Sequence, residues 1–301
     1  MVGEEITIGM TEFTHPGGLF TFPQRPIGLL YHYASLEGFE KIIHSKKLWA
    51  SELHYLNDAS EIRHFGNLVI DEARRRRAAE ASNTEVLSQL IAWTTDRINR
   101  GPLVFASSFS ENGNLLSQWR GYCPNGVGVS LGFDPKELAS TVCESGYMLR
   151  KCIYDSAAKV QIVTKFVDIV QSSCEHPVNV EKYHPTQKYY GTFYSLEDEF
   201  LNLAPEIKHH SFGEENEWRL VSKAQHDYVK PDICYRASRD TLVPYMELNL
   251  PKNPDGALSL KHVWVGPNPN PNLTMDSVNM FLSKQGIRPT FVEYCQIPYR
   301  G

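Results

Sequence analysis

The sequence predicts a mixed α+β fold. Short segments with the apolar pattern of strands recur along residues 27–295, and helical segments of uneven length lie between them. This irregular order favours an α+β arrangement over regular βαβ winding. In the glycine-rich stretch 121–132, Val127, Val129 and Leu131 alternate with other residues, which indicates a strand. The stretch is not a GxGxxG motif followed by a helix. A dinucleotide-binding fold of the doubly wound type is therefore not expected.

Composition and charge narrow the class of protein. The chain has 301 residues, 42% hydrophobic and 22% charged, with a formal net charge of -5. That balance suits a globular domain with a sizeable core and argues against a non-specific nucleic-acid coat. The basic run 74–77 follows Asp71 and Glu72 in a helical pattern, which is typical of a solvated helix face.

The six cysteines show no Cys-x-x-Cys spacing, and the first residues lack the pattern of a secretory signal. No apolar stretch is long enough to cross a membrane. We therefore expect a soluble, reduced, cytoplasmic protein without a disulfide framework. The histidines lack the spacing of metal ligands, so we also expect no metal site.

The chain is predicted to consist of an N-terminal arm and one domain. Residues 1–28 are polar and rich in Gly, Thr and Pro, whereas residues 29–301 carry the predicted elements without a clear linker or repeat. Ser35 is a candidate N-cap for the first helix, and Asn57 and Asp58 suit a turn. The predicted strands cover 27–33, 48–51, 103–110, 121–132, 147–154, the residues after 217, 233–236, 242–250, 262–265 and 289–295. The predicted helices cover 36–43, 62–73, 86–98, 115–120, 157–173, 194–203 and 275–285.

The acidic stretch at 209–221 is the strongest candidate for a functional site. Glu214, Glu215 and Glu217 fall within four residues and precede a strand-like run. If the strand begins here, Glu215 and Glu217 point to the same face and repel each other, which raises one pKa and leaves the other carboxylate ionised. Such a pair supplies a general base or stabilises a developing cation. The alternative is a solvated acidic turn before an ordinary strand.

Three groups of segments resemble a bacterial family of unknown function, DUF2971. The resemblance covers roughly residues 29–300 and includes the end of the chain at Pro298, Tyr299 and Arg300. The segments that carry it are 30–38 with 48–51 and 55–58, then 109–111 with 116–122, and 212–221.

A second, looser resemblance is to ADP-ribosyltransferases, especially the toxins that modify DNA. It rests on Tyr31-His32-Tyr33, a helix, and then Leu48-Trp49. The resemblance implies a split β-sandwich with inserted helices and a nicotinamide-ribose cleft. The family roles would fall to His32 on the first strand, Ser108 or Ser110 on the second, and Glu217 on a later one. Glu215 would complete the Glu-x-Glu motif, and the choice among Ser107, Ser108 and Ser110 stays open.

The chemistry of NAD cleavage fits these residue types. Breaking the bond between nicotinamide and ribose passes through an oxocarbenium-like cation, which a nearby carboxylate stabilises. A neutral imidazole binds ribose hydroxyls, an aromatic ring stacks on nicotinamide, and an arginine such as Arg120 or Arg219 holds the pyrophosphate. Equally, Arg219 suits an ion pair, and Trp119 and Trp218 suit the core. The cofactor-binding candidates are Tyr31, Tyr33, Ser108, Ser110, Trp119, Arg120 and Tyr122.

The leading hypothesis is an NAD-dependent enzyme that transfers ADP-ribose to a nucleic acid or protein, as a toxin or phage-defence effector. NAD would be a substrate, and no metal is required. The alternatives are a non-catalytic nucleotide- or nucleic-acid-binding module, and a nuclease or phosphotransferase that uses the same cleft.

Overall fold

A computed structural model describes residues 25–56, 61–79, 84–123, 127–229, 232–238, 240–289 and 291–297. Most of the predicted arm, the predicted turn at Asn57 and Asp58, and the terminal residues Pro298, Tyr299 and Arg300 lie outside these ranges. Within them the fold is mixed α+β, which confirms the predicted class. No helix of the described ranges is long and apolar enough to cross a membrane.

Ten strands of the described ranges form one sheet. They are β1 (Leu30–Ser35), β2 (Lys47–Glu52), β3 (Phe105–Ser110), β4 (Gly128–Phe133), β5 (Tyr147–Lys151), β6 (Glu217–Ser222), β7 (Cys234–Ala237), β8 (Leu242–Asn249), β9 (His262–Val265) and β10 (Phe291–Tyr294). The α-helices are α1 (Leu36–Ser45), α2 (Glu61–Ala79), α3 (Thr84–Arg100), α4 (Leu116–Tyr122), α5 (Pro135–Cys143), α6 (Ser156–Ser173), α7 (Tyr190–Ser195), α8 (Glu197–Leu203) and α9 (Pro271–Lys284).

The sheet divides at β3. One edge of β3 pairs with β6 along its length, from Ala106 opposite Val221 to Ser110 opposite Glu217. The other edge is shared: β1 pairs with it at Tyr31↔Ser110, and β2 pairs with it at its opposite end. From there β1 continues into β4, β9 and β10, whereas β2 continues into β8 and β7. We call these two groups the first leaf and the second leaf.

Helix α1 joins the two leaves, and its local sequence predicts where the helix begins. Ser35 caps it by accepting a hydrogen bond from the Gly38 backbone N–H, and Lys46 ends it in the left-handed conformation with φ 55°. The buried side chains of α1 are Phe39, Ile42 and Ile43, and the two isoleucines follow Phe39 by three and four residues. The chain therefore leaves β1, makes one short helix and returns as β2.

Two large apolar clusters cover the two faces of the sheet. One joins both leaves to α1, α5 and α9, with Phe105, Phe109 and Trp218 from the central strands. The other packs the central strands, through Ala106 and Val221, against the helical block α2–α3 and against α6–α8. Helices cover both faces of the sheet. The side chains on either face of β3 and β6 are therefore withdrawn from solvent.

Several predicted boundaries were wrong. The predicted helix 194–203 is two helices, α7 and α8, and the predicted strand 147–154 ends at Lys151. Helix α5 was not predicted. Its signal is nevertheless present, because Asp134 accepts hydrogen bonds from the Lys136 and Glu137 backbone N–H groups, and Pro135 follows it.

Candidate functional site

A cavity of about 1040 Å³ opens where the two leaves part. Its walls come from β1, α1 and β2, and its floor includes Ser107 and Ser108 of β3. Gln118 and Tyr122 of α4 line it, together with Lys208, Arg219 and Arg236. The volume suits a ligand of nucleotide or dinucleotide size. The division of the sheet at β3 therefore opens a cavity that could bind a small molecule.

His32 lies in the wall of this cavity and bridges the gap between β1 and β3. Its Nδ1 lies 3.0 Å from the backbone carbonyl oxygen of Ser108. A carbonyl only accepts, so Nδ1 carries the proton and Nε2 is left as an acceptor. Burial lowers the pKa of His32, and the hydrogen bond to Ser108 opposes that effect only in part. The imidazole is therefore neutral near pH 7, with Nε2 available as an acceptor.

The three serines of β3 have different surroundings. Ser107 and Ser108 line the cavity, and the buried Ser107 hydroxyl has no hydrogen-bond partner among the described residues. Ser110 is buried away from the cavity, where its hydroxyl donates to the Glu215 carbonyl and accepts from the Asn112 backbone N–H. Ser110 therefore ties β3 to the acidic stretch, and the prediction that it binds a ligand is not supported by its position.

The acidic stretch forms a buried cluster of two carboxylates and two cations. The Lys208 ammonium donates to Glu215 Oε2 at 2.6 Å and to Glu217 Oε2 at 2.5 Å. The Arg219 guanidinium donates to both oxygens of Glu217, at 2.7 Å and 3.1 Å. It also donates to the Pro205 carbonyl at 3.0 Å. Lys208 and Arg219 line the cavity, whereas the two glutamates lie behind them.

The two glutamates have opposite pKa shifts. Burial raises the pKa of Glu215 above its usual value, and this effect exceeds the opposing effect of Lys208. Burial also acts on Glu217, but Arg219 and Lys208 outweigh it and lower the pKa of Glu217 to about 2. The predicted separation of the pair is therefore present in the structure. Its main causes are burial and the two cations, with mutual repulsion contributing less.

The local geometry differs from the prediction that both carboxylates lie on one strand. Glu215 ends a 3-10 helix (His210–Glu215), Asn216 adopts the left-handed conformation with φ 40°, and β6 begins at Glu217. The side chains converge because Lys208 lies between them. Glu214, in contrast, is exposed, and only for this residue does the alternative of a solvated acidic turn fit.

The aromatic candidates separate into core and cavity residues. Trp119 is fully buried, donates from Nε1 to Asn114 Oδ1 at 3.0 Å and does not line the cavity. Its position fits the alternative that Trp119 belongs to the core rather than to a surface that stacks on a ligand. Tyr122 lines the cavity with 40% of its surface exposed, and burial of its hydroxyl raises its pKa to about 12. Tyr122 is the best placed of the predicted aromatic residues.

Tyr31 and Tyr33 line the cavity, but their hydroxyls are engaged elsewhere. The Tyr31 hydroxyl bonds His262 Nδ1 at 2.9 Å on β9, beyond β4. The Tyr33 hydroxyl donates to the Asn112 carbonyl and accepts from the Leu115 backbone N–H, both at 2.8 Å. These two residues position the cavity wall. Arg120 is exposed and does not line the cavity, so it is not placed to hold a pyrophosphate there.

Sequence reasoning missed three residues of the site. Lys208 and Arg236 line the cavity, and the Tyr154 hydroxyl accepts a hydrogen bond from the Glu217 backbone N–H at 3.1 Å. None belongs to a motif, so no local signal identifies them. Among the described residues, no three His, Cys, Asp or Glu side chains are grouped in a way that could hold a metal ion.

Comparison with known proteins gives one match. Residues 118–220 match the family described as "Protein of unknown function (DUF2971)". This confirms the predicted resemblance over that range, which begins in α4 and ends in β6. The matched segment includes Tyr122, Lys208, Glu215, Glu217 and Arg219. No match was found among curated proteins or among solved structures.

Proposed function

We propose that this protein binds NAD in the cavity between the two leaves and transfers ADP-ribose to an acceptor. The observation that carries the proposal is the placement of His32 and the Glu217 cluster around one divided region of the sheet. The ribose of NAD carries a pyrophosphate and a positively charged nicotinamide. The groups that its cleavage requires are a neutral imidazole, an ionised carboxylate and two cations.

Each residue has a role in the proposed reaction. His32 Nε2 accepts a hydrogen bond from a ribose hydroxyl, and the exposed ring of Tyr122 stacks on nicotinamide. Arg219 and Lys208 donate to the pyrophosphate. Since these donors are shared with Glu217, the incoming phosphates compete for them and free a carboxylate oxygen to face the ribose.

The bond between the ribose carbon and the nicotinamide nitrogen then breaks, and its electron pair leaves with neutral nicotinamide. Glu217 stabilises the cation that develops on the ribose. The acceptor attacks the same carbon and loses a proton to Glu215, whose raised pKa suits a general base. The two glutamates thus divide the work by their opposite pKa shifts.

A second candidate function is nucleotide binding without turnover. It is favoured by the fact that both oxygens of Glu217 already accept hydrogen bonds from Lys208 and Arg219. If these contacts persist when a ligand binds, Glu217 cannot contact the ribose, and the cavity holds a nucleotide intact.

The test is incubation of the purified protein with NAD and measurement of free nicotinamide by mass spectrometry. Glu217→Gln tests the carboxylate directly, and Glu214→Gln is its matched control, because Glu214 is exposed in the same stretch. His32→Asn is a second variant, since an asparagine amide can keep the hydrogen bond to the Ser108 carbonyl while the Nε2 acceptor is lost.

We expect nicotinamide from the wild type and from Glu214→Gln, and a loss of at least tenfold in the other two variants. NAD binding without nicotinamide in any sample would support the binding module. Absence of NAD binding would contradict the proposed transfer of ADP-ribose.

A further inference from the structure

The outer face of the second leaf carries an aromatic platform at the mouth of the cavity. The Trp49 ring lies with its centroid 4.6 Å from that of Tyr245, at an angle of 36°. The Arg236 guanidinium lies over Trp49, 5.7 Å from the ring centroid. We call Trp49, Tyr245 and Arg236 the platform. Trp49 and Arg236 also line the cavity, so the platform is continuous with it.

The platform is not part of the protein core. Along β2, Leu48 and Ala50 are buried in the cluster that joins the leaves, while Trp49 points to the other face and is 38% exposed. The other four tryptophans of the chain are more buried than Trp49. A large exposed ring held in place by two neighbours is pre-organised for a planar ligand.

Arg236 adds a polar donor beside the ring. Its Nη2 donates to Ser51 Oγ at 3.1 Å, which fixes the guanidinium. Its Nε is buried and has no hydrogen-bond partner among the described residues. A buried donor without an acceptor is costly, and an acceptor on a ligand would remove that cost. The site therefore offers a ring face for stacking and one N–H for an acceptor at the edge of a ligand.

The charges around the platform indicate how a ligand is held. Lys47 and Glu247, on the same face of β2 and β8, neutralise each other at 2.6 Å. Arg236 forms no ion pair among the described residues and is the cation that remains for a ligand. With a net charge of -5 on the chain, extensive binding to a phosphate backbone is disfavoured.

We propose that the platform binds an unpaired nucleobase of a single-stranded nucleic acid. Base stacking on aromatic rings and arginine is the usual means of holding single strands, because the bases of a duplex have no free ring face. Such a strand could also be the acceptor of the ADP-ribose. This inference would then name the acceptor of the proposed transfer, and in that respect it rests on the proposed function. The binding itself requires neither NAD nor turnover.

The experiment measures fluorescence anisotropy of a fluorescein-labelled strand of ten thymidines, without NAD. Trp49→Ala should weaken binding about 5- to 150-fold, the range for loss of one base–aromatic stack. Trp49→Phe should retain most of the affinity. Tyr235→Ala is the matched control, because Tyr235 is an exposed aromatic residue on the neighbouring strand β7 but on its opposite face, and it should bind as the wild type does.

Three further arms separate the sources of binding. A duplex of the same length should bind weakly. The slope of log affinity against log salt should be about −0.7, the value for a single phosphate contact on a single strand. An abasic strand that binds as well as the thymidine strand would overturn the proposal, because the contact would then be to the backbone.

The proposal is also overturned if the wild type does not bind the strand, or if Trp49→Ala binds it unchanged. A Trp49→Ala variant that loses affinity for NAD instead would assign the platform to the adenine of the dinucleotide. Nicotinamide release by the wild type is measured separately, so failure of this inference and failure of the proposed enzyme activity are distinguishable.

Discussion

Replacing Glu217 with glutamine should destabilise the protein by about 3 kcal/mol. Glu217 is 3% exposed and accepts hydrogen bonds from Lys208 and Arg219. The substitution keeps the shape of the side chain but removes its charge, which leaves a buried cation without full compensation. Removing one partner of a buried ion pair costs about 3–5 kcal/mol.

The pKa of Glu217 gives an independent magnitude. A fall from the usual 4.5 to about 2 corresponds to about 3 kcal/mol of differential stabilisation of the ionised form. Because the folded-state pKa is lowered, this stabilisation is present above pH 4.5 and disappears as the pH falls towards 2. The wild type should therefore lose its advantage over Glu217→Gln in that pH range.

The assay is urea unfolding followed by tryptophan fluorescence, with Glu214→Gln as the control. The control should stay within about 0.5 kcal/mol of the wild type, as exposed substitutions do. The double variant Lys208→Met/Glu217→Gln balances the cluster again, and it should lose at least about 1 kcal/mol less than the sum of the two single losses. A Glu217→Gln variant as stable as the control at pH 7 would refute the ion-pair account of this cluster.

Three other predictions concern pH and packing. Burial raises the pKa of Glu206 to about 7, against a smaller opposing effect of Arg150, so the folded state binds the proton more tightly than the unfolded chain. Glu206→Gln should therefore gain about 3 kcal/mol of stability relative to the wild type between pH 4.5 and 7, as chemical unfolding at both pH values would show; equal curves would contradict this. Because the pKa of His32 is lowered in the folded state, the contribution of His32 to stability is full above pH 6.5 and falls as the pH drops further. The wild type should therefore lose stability relative to His32→Asn below pH 6.5. Parallel plots of unfolding free energy against pH for the two proteins would contradict this prediction. A Cβ at Gly128 would lie 2.3 Å from the Ala34 carbonyl oxygen, so Gly128→Ala should cost about 1–3 kcal/mol by strain between β4 and β1. If the variant unfolds at the same temperature as the wild type, the two strands can move apart without cost and the prediction is wrong.

The sequence predicts those elements of the site that depend on neighbours along the chain. Ser35 caps α1 where the sequence places it, and the apolar spacing of Phe39, Ile42 and Ile43 gives the buried face of that helix. The acidic stretch before β6 is also visible in the sequence. The opposite pKa shifts of Glu215 and Glu217 are caused mainly by burial and by the cations Lys208 and Arg219, and only Arg219 belongs to the stretch that the sequence singles out.

The remaining features depend on contacts between distant segments. The sheet divides because β1 and β2 share one edge of β3, and no local pattern specifies which strands share an edge. Lys208 is a single lysine without a motif, and a 3-10 turn is needed to bring it between the two glutamates. Trp119 has the same local pattern whether it enters the core or a binding site, so the sequence left both alternatives open.

The proposed cleavage of NAD in the cavity between the two leaves depends on His32 in the cavity wall. It is tested most directly by a time course of nicotinamide release from NAD, with wild type and His32→Asn at matched concentrations and with folding of both verified. We expect release by the wild type and a rate at least about tenfold lower in His32→Asn. Equal release by the two proteins would contradict it.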